Sequence, residues 1–384
     1  MTTPPIPRYE FPVADRFRYL DHATLAAPPT MVAHAIAREA SGATMLGSTA
    51  EDRRIERQER VRTDAAAVLG VPSDDVTFTG NTTHGMSIVA TGLSWQPGDV
   101  VVVADHDHPL TTAPWQALAD RGVEVRTVAV DEPTWSVDPA RFDDALEAAG
   151  GRARAVVVSW VNAARGWRHD LAALAAVAHA HDAWLVVDLI QGLGVIPADL
   201  SAWGVDAAVA GGHKWLLGPE GTGLLHTSAD LRAELHVGAP SWSSLAEDGE
   251  RWRLDLDLDR TGRRFEGGTR NNIGTAGLGA TVDMLLGVGI DAVWAHVIQW
   301  GDQLVRGLTE LGADVVSDRS PAGRSAIVTA TFGDHDPDAL VEHLLARGLV
   351  VAARGGGVRF SPHGWNDHDD LAATLDAVAN TWSR

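Results

Sequence analysis

The chain contains no cysteine. That excludes disulfides, thiolate metal sites and a thiol nucleophile. No run reaches the roughly 18 apolar residues that a membrane-crossing helix needs. Basic residues are far fewer than acidic ones, and the formal net charge is −20. Such a balance argues against nucleic acid or an anionic membrane as a partner. It says little about a small substrate, because local charge at a site can oppose the global sign. The opening Met1-Thr-Thr-Pro-Pro-Ile-Pro lacks a basic start and a long apolar segment, so a signal peptide is not expected. Absence of cysteine suits a reducing cytoplasm, the expected location, although it fits any compartment. No internal repeat or low-complexity tract is visible.

What is present suits a globular protein. With 384 residues, 45% of them apolar, the chain has room for two domains and a large core. Short, often Val-rich runs predict strands at Val76–Thr79, Val100–Ala104, Val123–Val130, Ala155–Val161, Ala183–Asp188, Ala207–Ala210 and Gly223–His226. Helical periodicity alternates with them at Met31–Ala40, Arg53–Leu69, Thr83–Thr91, Thr111–Arg121, Pro139–Ala149 and Asp170–His181. Alternation of this kind predicts an α/β fold, a mostly parallel seven-stranded sheet with helices on both faces. Ligands bind such sheets beyond the carboxyl ends of the strands. After Thr227 the pattern changes. Leu231–Arg264 reads as a helical start followed by connection and loop, including the alternating Leu254-Asp-Leu-Asp-Leu-Asp259. Helices at Thr275–Leu286 and Asp291–Leu311 lead into a smaller α+β unit. That unit holds strands Ala326–Phe332, Leu349–Ala353 and Val358–Ser361 and helices Asp336–Arg347 and Asp367–Trp382. Three stretches are therefore expected: an extended N-terminal segment packing on the small domain (1–20), a large ligand-binding domain (21–265) and a small C-terminal domain (266–384).

Chemistry concentrates in Asp206-Ala-Ala-Val-Ala-Gly-Gly-His-Lys-Trp-Leu-Leu-Gly-Pro-Glu-Gly-Thr-Gly. It sets Lys214 between a short apolar strand and a Gly/Pro-rich turn, where an enclosed amine can form a Schiff base with a carbonyl cofactor. Upstream, Val186-Val-Asp188-Leu-Ile-Gln191 places a carboxylate where another strand runs out. The pair suggests an amino-acid enzyme using pyridoxal 5′-phosphate (PLP). Gly80-Asn-Thr82-Thr83 is a turn entering a helix, and a helix N-terminus offers free N–H groups and a favourable dipole to a phosphate. A plain N-cap explains the same threonines.

Seven motifs in order carry a family resemblance: Tyr19-Leu-Asp-His-Ala, Gly80-Asn-Thr-Thr-His, Asp107-His108 with Pro114-Trp115, Asp188-Leu-Ile-Gln191, Gly212-His-Lys214, Phe265-Glu-Gly-Gly-Thr-Arg270 and Val358-Arg-Phe-Ser-Pro-His363. The chain resembles the fold type I PLP enzymes of the class V aminotransferase group, which includes cysteine desulfurases, selenocysteine lyases and isopenicillin N epimerase-like proteins. The resemblance implies that Lys214 holds PLP as an internal aldimine and moves the Cα proton. It implies that Asp188 keeps the pyridine nitrogen protonated, His108 stacks on the ring and Gln191 donates to the phenolic oxygen. Thr82, Thr83 and His213 serve the phosphate, and Thr269 reaches the phosphate of a neighbouring subunit, which makes the active unit a homodimer with sites at the interface. Arg359 clamps the substrate carboxylate.

Departures from that pattern matter as much. The desulfurase pattern puts a nucleophilic cysteine on a loop before the substrate arginine. Here only Arg354-Gly-Gly-Gly-Val-Arg359 stands there, so persulfide formation on the enzyme is excluded. Gly211 replaces a phosphate-binding serine, His84 an acidic residue and Ala163 an asparagine. Asn162 can stand in for the last only after a one-residue shift. Arg165 and Arg270 are extra cations that suit a second acidic group on the substrate. The expected reaction is C–S lyase-type β-elimination on an S-substituted cysteine, since the lyase and epimerase-like branch suits a short cysteine-free loop. Transamination, epimerisation and decarboxylation, with or without oxygen, stay open. So does a non-enzymatic module that keeps the fold. A nucleotide-binding protein is disfavoured, because Gly192-Leu-Gly194 and Gly221-Thr-Gly223 lack a G-x-G-x-x-G or P-loop context. Trp160, Trp215, Trp242 and Trp365 suit either a core or the wall of a large pocket.

Overall fold

The computed structural model describes residues 3–246 and 257–382. A short strand β1 (Arg18–Tyr19) precedes seven that form one sheet: β2 (Val76–Thr79), β3 (Val100–Ala104), β4 (Glu124–Val128), β5 (Ala153–Ser159), β6 (Trp184–Asp188), β7 (Ala207–Gly211) and β8 (Gly223–Thr227). Their order is β2-β8-β7-β6-β5-β3-β4, and only β8 runs against its neighbours. The sheet is the expected seven-stranded, mostly parallel one. Each of β3, β6, β7 and β8 is buried along all or nearly all its length, which is why these strands read as unbroken apolar runs without alternation.

Helices α1 (Thr30–Leu46), α2 (Glu51–Leu69), α3 (Thr82–Gly92), α4 (Pro109–Gln116), α5 (Pro139–Glu147), α6 (Leu171–Ala180), α7 (Leu200–Trp203) and α8 (Ala229–Glu234) occupy the connections. Their starts follow local chemistry. Asp138 and Asp170 accept N–H groups of the first turns of α5 and α6. Proline at the first position starts α4 and α5, where its missing N–H costs nothing. For this reason α4 begins two residues before the expected Thr111, and its last turn tightens into a 3₁₀ segment at Ala117–Arg121.

Beyond the undescribed stretch come α9 (Asn272–Val288) and α10 (Ile290–Glu310), then β9 (Asp314–Val315), β10 (Val328–Thr331), α11 (Pro337–Leu345), β11 (Leu349–Val350), β12 (Ala352–Arg354), β13 (Gly357–Phe360) and α12 (His368–Trp382). Strands β12-β13-β10-β9 form an antiparallel sheet. The single strand expected over Leu349–Ala353 is two: β11 pairs in parallel with β1, and β12 pairs with β13. Strand β9 was not anticipated, because two residues are too few to show a period. Positions 254–256 of the alternating Leu/Asp run lie outside the described residues.

Two packing details bear on domain organisation. Helix α9 follows the expected break at 265/266, yet it packs on α1 and α2 and buries Leu278, Val282 and Leu285 in the core beneath the large sheet. The small unit has a core of its own, which gathers Trp300, Leu304, Val328, Phe360 and Val378. The N-terminal segment is not simply extended: it folds 3₁₀ turns at Arg8–Glu10 and Pro12–Asp15 and stacks Phe11 on Trp365, ring centroids 4.7 Å apart. Among the described residues no single helix is long and apolar enough to cross a membrane.

Candidate active site

The carboxyl ends of four parallel strands converge. Asp107 and His108 follow β3, Ser159 ends β5, Asp188 ends β6, and Lys214 lies three residues past β7. Above this edge is a cavity of about 270 Å³ walled by Thr24, His108, Gln191, Lys214 and Arg359, among others. Of the residues expected at the site, His108, Gln191, Lys214 and Arg359 share this cavity, and Thr24 is an addition.

Lys214 is largely enclosed, and burial pushes its amine down to about 8; Arg359 and Arg354 add to the effect and Asp188 opposes it. It is also the only lysine in the chain, every other basic position being arginine or histidine. That signal was in the sequence and went unread. An arginine cannot release its proton, so the one position that needs a titratable amine is the one that has it. Asp188 is buried, and burial raises its carboxyl, while the Ile190 N–H, Lys214 and Thr111 pull it back. Its Oδ1 accepts the Ile190 N–H at 2.9 Å and its Oδ2 accepts the Thr111 hydroxyl at 3.0 Å.

Thr111 and its neighbours were missed. Thr111 is fully buried on α4, and its hydroxyl lies 3.2 Å from that of Ser159. The Ser159 N–H donates to Asp107 at 2.8 Å. Burial lifts the Asp107 carboxyl to about 7; the Ser159 N–H counters this and nearby Asp188 adds to it. Two carboxyls thus share one buried network. The only outward hint was that Thr111 follows His108 at helical spacing.

His108 caps α4 through Nδ1, which accepts the Leu110 N–H at 3.3 Å, and it walls the cavity beside Lys214. Burial, then the positive charge of Lys214, lowers its imidazole, so it is neutral at pH 7. Gln191 is tied on both sides: its amide donates to the Ala23 carbonyl at 3.0 Å and accepts the Trp215 indole N–H at 2.9 Å. A second amide hydrogen remains to face the cavity. Behind it, His363 and His22 are fully buried, neutral, and packed with Trp215 and Trp365. Three of the four tryptophans singled out, Trp160, Trp215 and Trp365, are core side chains; Trp242 lines a separate cavity.

At the other end, Asn81 rather than Thr82 caps α3, accepting the His84 N–H at 2.8 Å. Thr82 is buried and accepts the Gly211 N–H at 3.0 Å, which docks the helix start onto the end of β7. Thr83 follows it, half-buried. A Cβ on Gly211 would stand 3.0 Å from the imidazole of His213. The lost serine is therefore space taken by that ring.

Arg359 is buried on β13. Its Nη1 donates to the Ala163 carbonyl at 2.5 Å, and Nη2 to Asp21 at 3.0 Å and to Thr24 at 2.5 Å, while Nε has no partner among the described residues.

Three expected residues lie elsewhere. Asn162 spends its side chain on its own loop: its amide donates to His106 O at 2.9 Å, and its oxygen accepts the N–H groups of Ala164 and Arg165. Thr269 and Arg270 line other cavities. Arg270 donates to Gln58 at 3.0 Å and sits 3.5 Å from Glu266.

The class-V aminotransferase profile matches residues 18–362. The chain belongs to that family. Among class-V relatives, a probable cysteine desulfurase of Methanothermobacter thermautotrophicus is 30% identical, with 97% of each chain covered. A cysteine desulfurase of Klebsiella pneumoniae is 31% identical over 85% of this chain and 82% of its own. Among solved structures, the cystine C–S lyase C-DES, in complex with its product cysteine persulfide, superposes with a TM-score of 0.89 at 25% identity, covering 96% of this chain and 99% of that one. Apo cysteine desulfurase from Thermococcus onnurineus shares the fold, with a TM-score of 0.88 at 21% identity over 100% and 99%.

Proposed function

We propose that this class-V family member is a PLP-dependent lyase that eliminates the sulfur substituent from an S-substituted cysteine. The residues fit the cofactor: a buried amine, a buried carboxylate with room for a further donor, a neutral imidazole in the wall, and a helix start with two threonines. Lys214 would hold the aldehyde carbon and Asp188 the ring nitrogen. His108 and Gln191 would hold the ring, and Thr82, Thr83 and His213 the phosphate. When bound, PLP supplies an electron sink for charge developing at Cα.

The chain's own residues do the rest. Arg359 takes the α-carboxylate. Lys214, neutral above about pH 8, removes the Cα proton. The Cα–H and Cβ–S bonds break, a Cα=Cβ bond forms, and sulfur leaves with its bonding pair as a thiol. Water then releases the three-carbon remainder as pyruvate and ammonia.

One observation carries the choice of reaction. Strands β12 and β13 are joined by Gly355 and Gly356, with φ of 57° and 80°. Two successive left-handed residues make a tight hairpin, and no cysteine exists to attack sulfur. Sulfur therefore departs on a small molecule. Holoenzyme incubated with S-substituted cysteines should give pyruvate, ammonia and thiol in equal amounts. A keto acid that retains sulfur would replace this reading with transamination, and carbon dioxide would replace it with decarboxylation.

Thr111 is the positioning residue for Asp188. Thr111→Val should lower kcat on the order of 10-fold, the effect of one lost hydrogen bond to a charged group, and should move the pH at which the bound cofactor's visible band changes. Thr111→Ser should restore both. We also propose that the active unit is a cytoplasmic homodimer in which Thr269 serves the partner's phosphate.

A further inference from the structure

Of the two extra cations read from the sequence, Arg165 is spent and Arg270 lies in another cavity. The Nε of Arg165 donates to the Gly355 carbonyl at 3.1 Å, its Nη1 to Glu132 and to the Pro133 carbonyl, and its guanidinium lies 4.2 Å over the Trp135 ring. Arg270 is held by Gln58 and Glu266 in another cavity. Within the site, the Nε of Arg359 is unpaired among the described residues, and one α-carboxylate accounts for it.

Arg354 is different. It ends β12 where the hairpin turns, and it lines the same cavity as Lys214 and Arg359. Its side chain is exposed, and its one hydrogen bond among the described residues runs from Nη1 to the adjacent Ala353 carbonyl at 2.7 Å. Among the described residues no carboxylate pairs with it. What sets it apart from other arginines without a paired acid is its place: it lines the cavity that holds Lys214. The rest of the mouth does not neutralise it. His106 and His108 are there, and Asp107 has turned its carboxyl inward to Ser159. A guanidinium fork facing such a space matches a planar carboxylate.

We infer that Arg354 reads a second carboxylate, carried by the sulfur substituent, so that the preferred substrates are S-(carboxyalkyl)-type cysteine conjugates. The inference rests on the lyase reading for its chemistry but not for its test. S-(carboxymethyl)cysteine and S-(carbamoylmethyl)cysteine differ by a charge at nearly constant shape. For the wild-type holoenzyme, kcat/KM should favour the carboxylate. Arg354→Gln should cut that ratio about 10- to 100-fold, the range for a hydrogen bond to a charged group, and Arg354→Lys should keep part of it. A ratio that changes less than twofold overturns the assignment. If neither compound yields pyruvate, the lyase reading fails. The ratio of their dissociation constants, read from the cofactor's visible band, then decides on Arg354 by the same thresholds.

Discussion

Lys214→Ala is expected to lower turnover by at least about 10³-fold, because it removes both the covalent tether and the base at Cα. Apart from the N-terminal amine, Lys214 is the only primary amine in the chain. Borohydride reduction of the wild-type holoenzyme should fix one cofactor per chain, on the peptide containing Lys214. The variant should show no such adduct and no visible band from covalently held cofactor. An intact adduct elsewhere in an active variant would remove Lys214 from the chemistry. The pH dependence has a definite sign. Burial, the largest cause, brings the amine down to about 8. Only the neutral amine attacks an aldehyde, so capture of PLP by cofactor-free protein should speed up as pH rises toward 8 and level off above it. An ordinary exposed lysine would keep gaining well beyond that.

The framework of this site was legible because it lies where regular elements stop. Asp188 and Lys214 both follow buried, β-rich apolar runs, and an ionisable residue directly after such a run must sit at a sheet edge. What was not legible is which polar groups are already used. Arg165 looked free in sequence, yet its acid, Glu132, is 33 residues away. Asn162 looked directed at substrate, yet its local loop consumes it. Arg354 looked like part of a turn, and its lack of an acid shows only once the hairpin is folded. Thr111 was hidden for another reason: a threonine inside a helix pattern reads as packing, and its partner Asp188 is 77 residues on. Thr269 and Arg270 line cavities apart from Lys214, which their place late in the chain did not reveal.

The second large effect concerns a buried ion pair at the start of the 266–270 segment. Arg62, 1% exposed on α2, grips Glu266 with two hydrogen bonds of 2.6 and 3.2 Å, and also donates to the Val76 carbonyl at 2.7 Å. Glu266 in turn accepts the Phe78 N–H at 2.9 Å. The pair thus ties α2, the edge strand β2 and the start of the 266–270 segment together. Arg62→Met should cost about 3 kcal/mol, because it removes both direct hydrogen bonds to the buried Glu266 carboxylate and leaves it only Arg270 as a cation, 3.5 Å away. Arg62→Met combined with Glu266→Leu should cost much less than the two single changes summed, since an apolar pair of similar volume avoids that desolvation. Denaturant unfolding at fixed PLP concentration would measure both, ligand binding being a stability term of its own. Acid gives an independent check through Glu59. Its burial alone would raise the carboxyl, but hydrogen bonds from Arg263 and Arg62 outweigh it and hold it at about 2. A depressed carboxyl stabilises fully above its ordinary value of 4.5 and loses that contribution as pH falls toward 2. Arg62→Met should shrink this acid-sensitive part as well, because one of the two arginines that depress Glu59 is gone. An unchanged acid limb together with a small loss at neutral pH would mean that the network contributes little to stability.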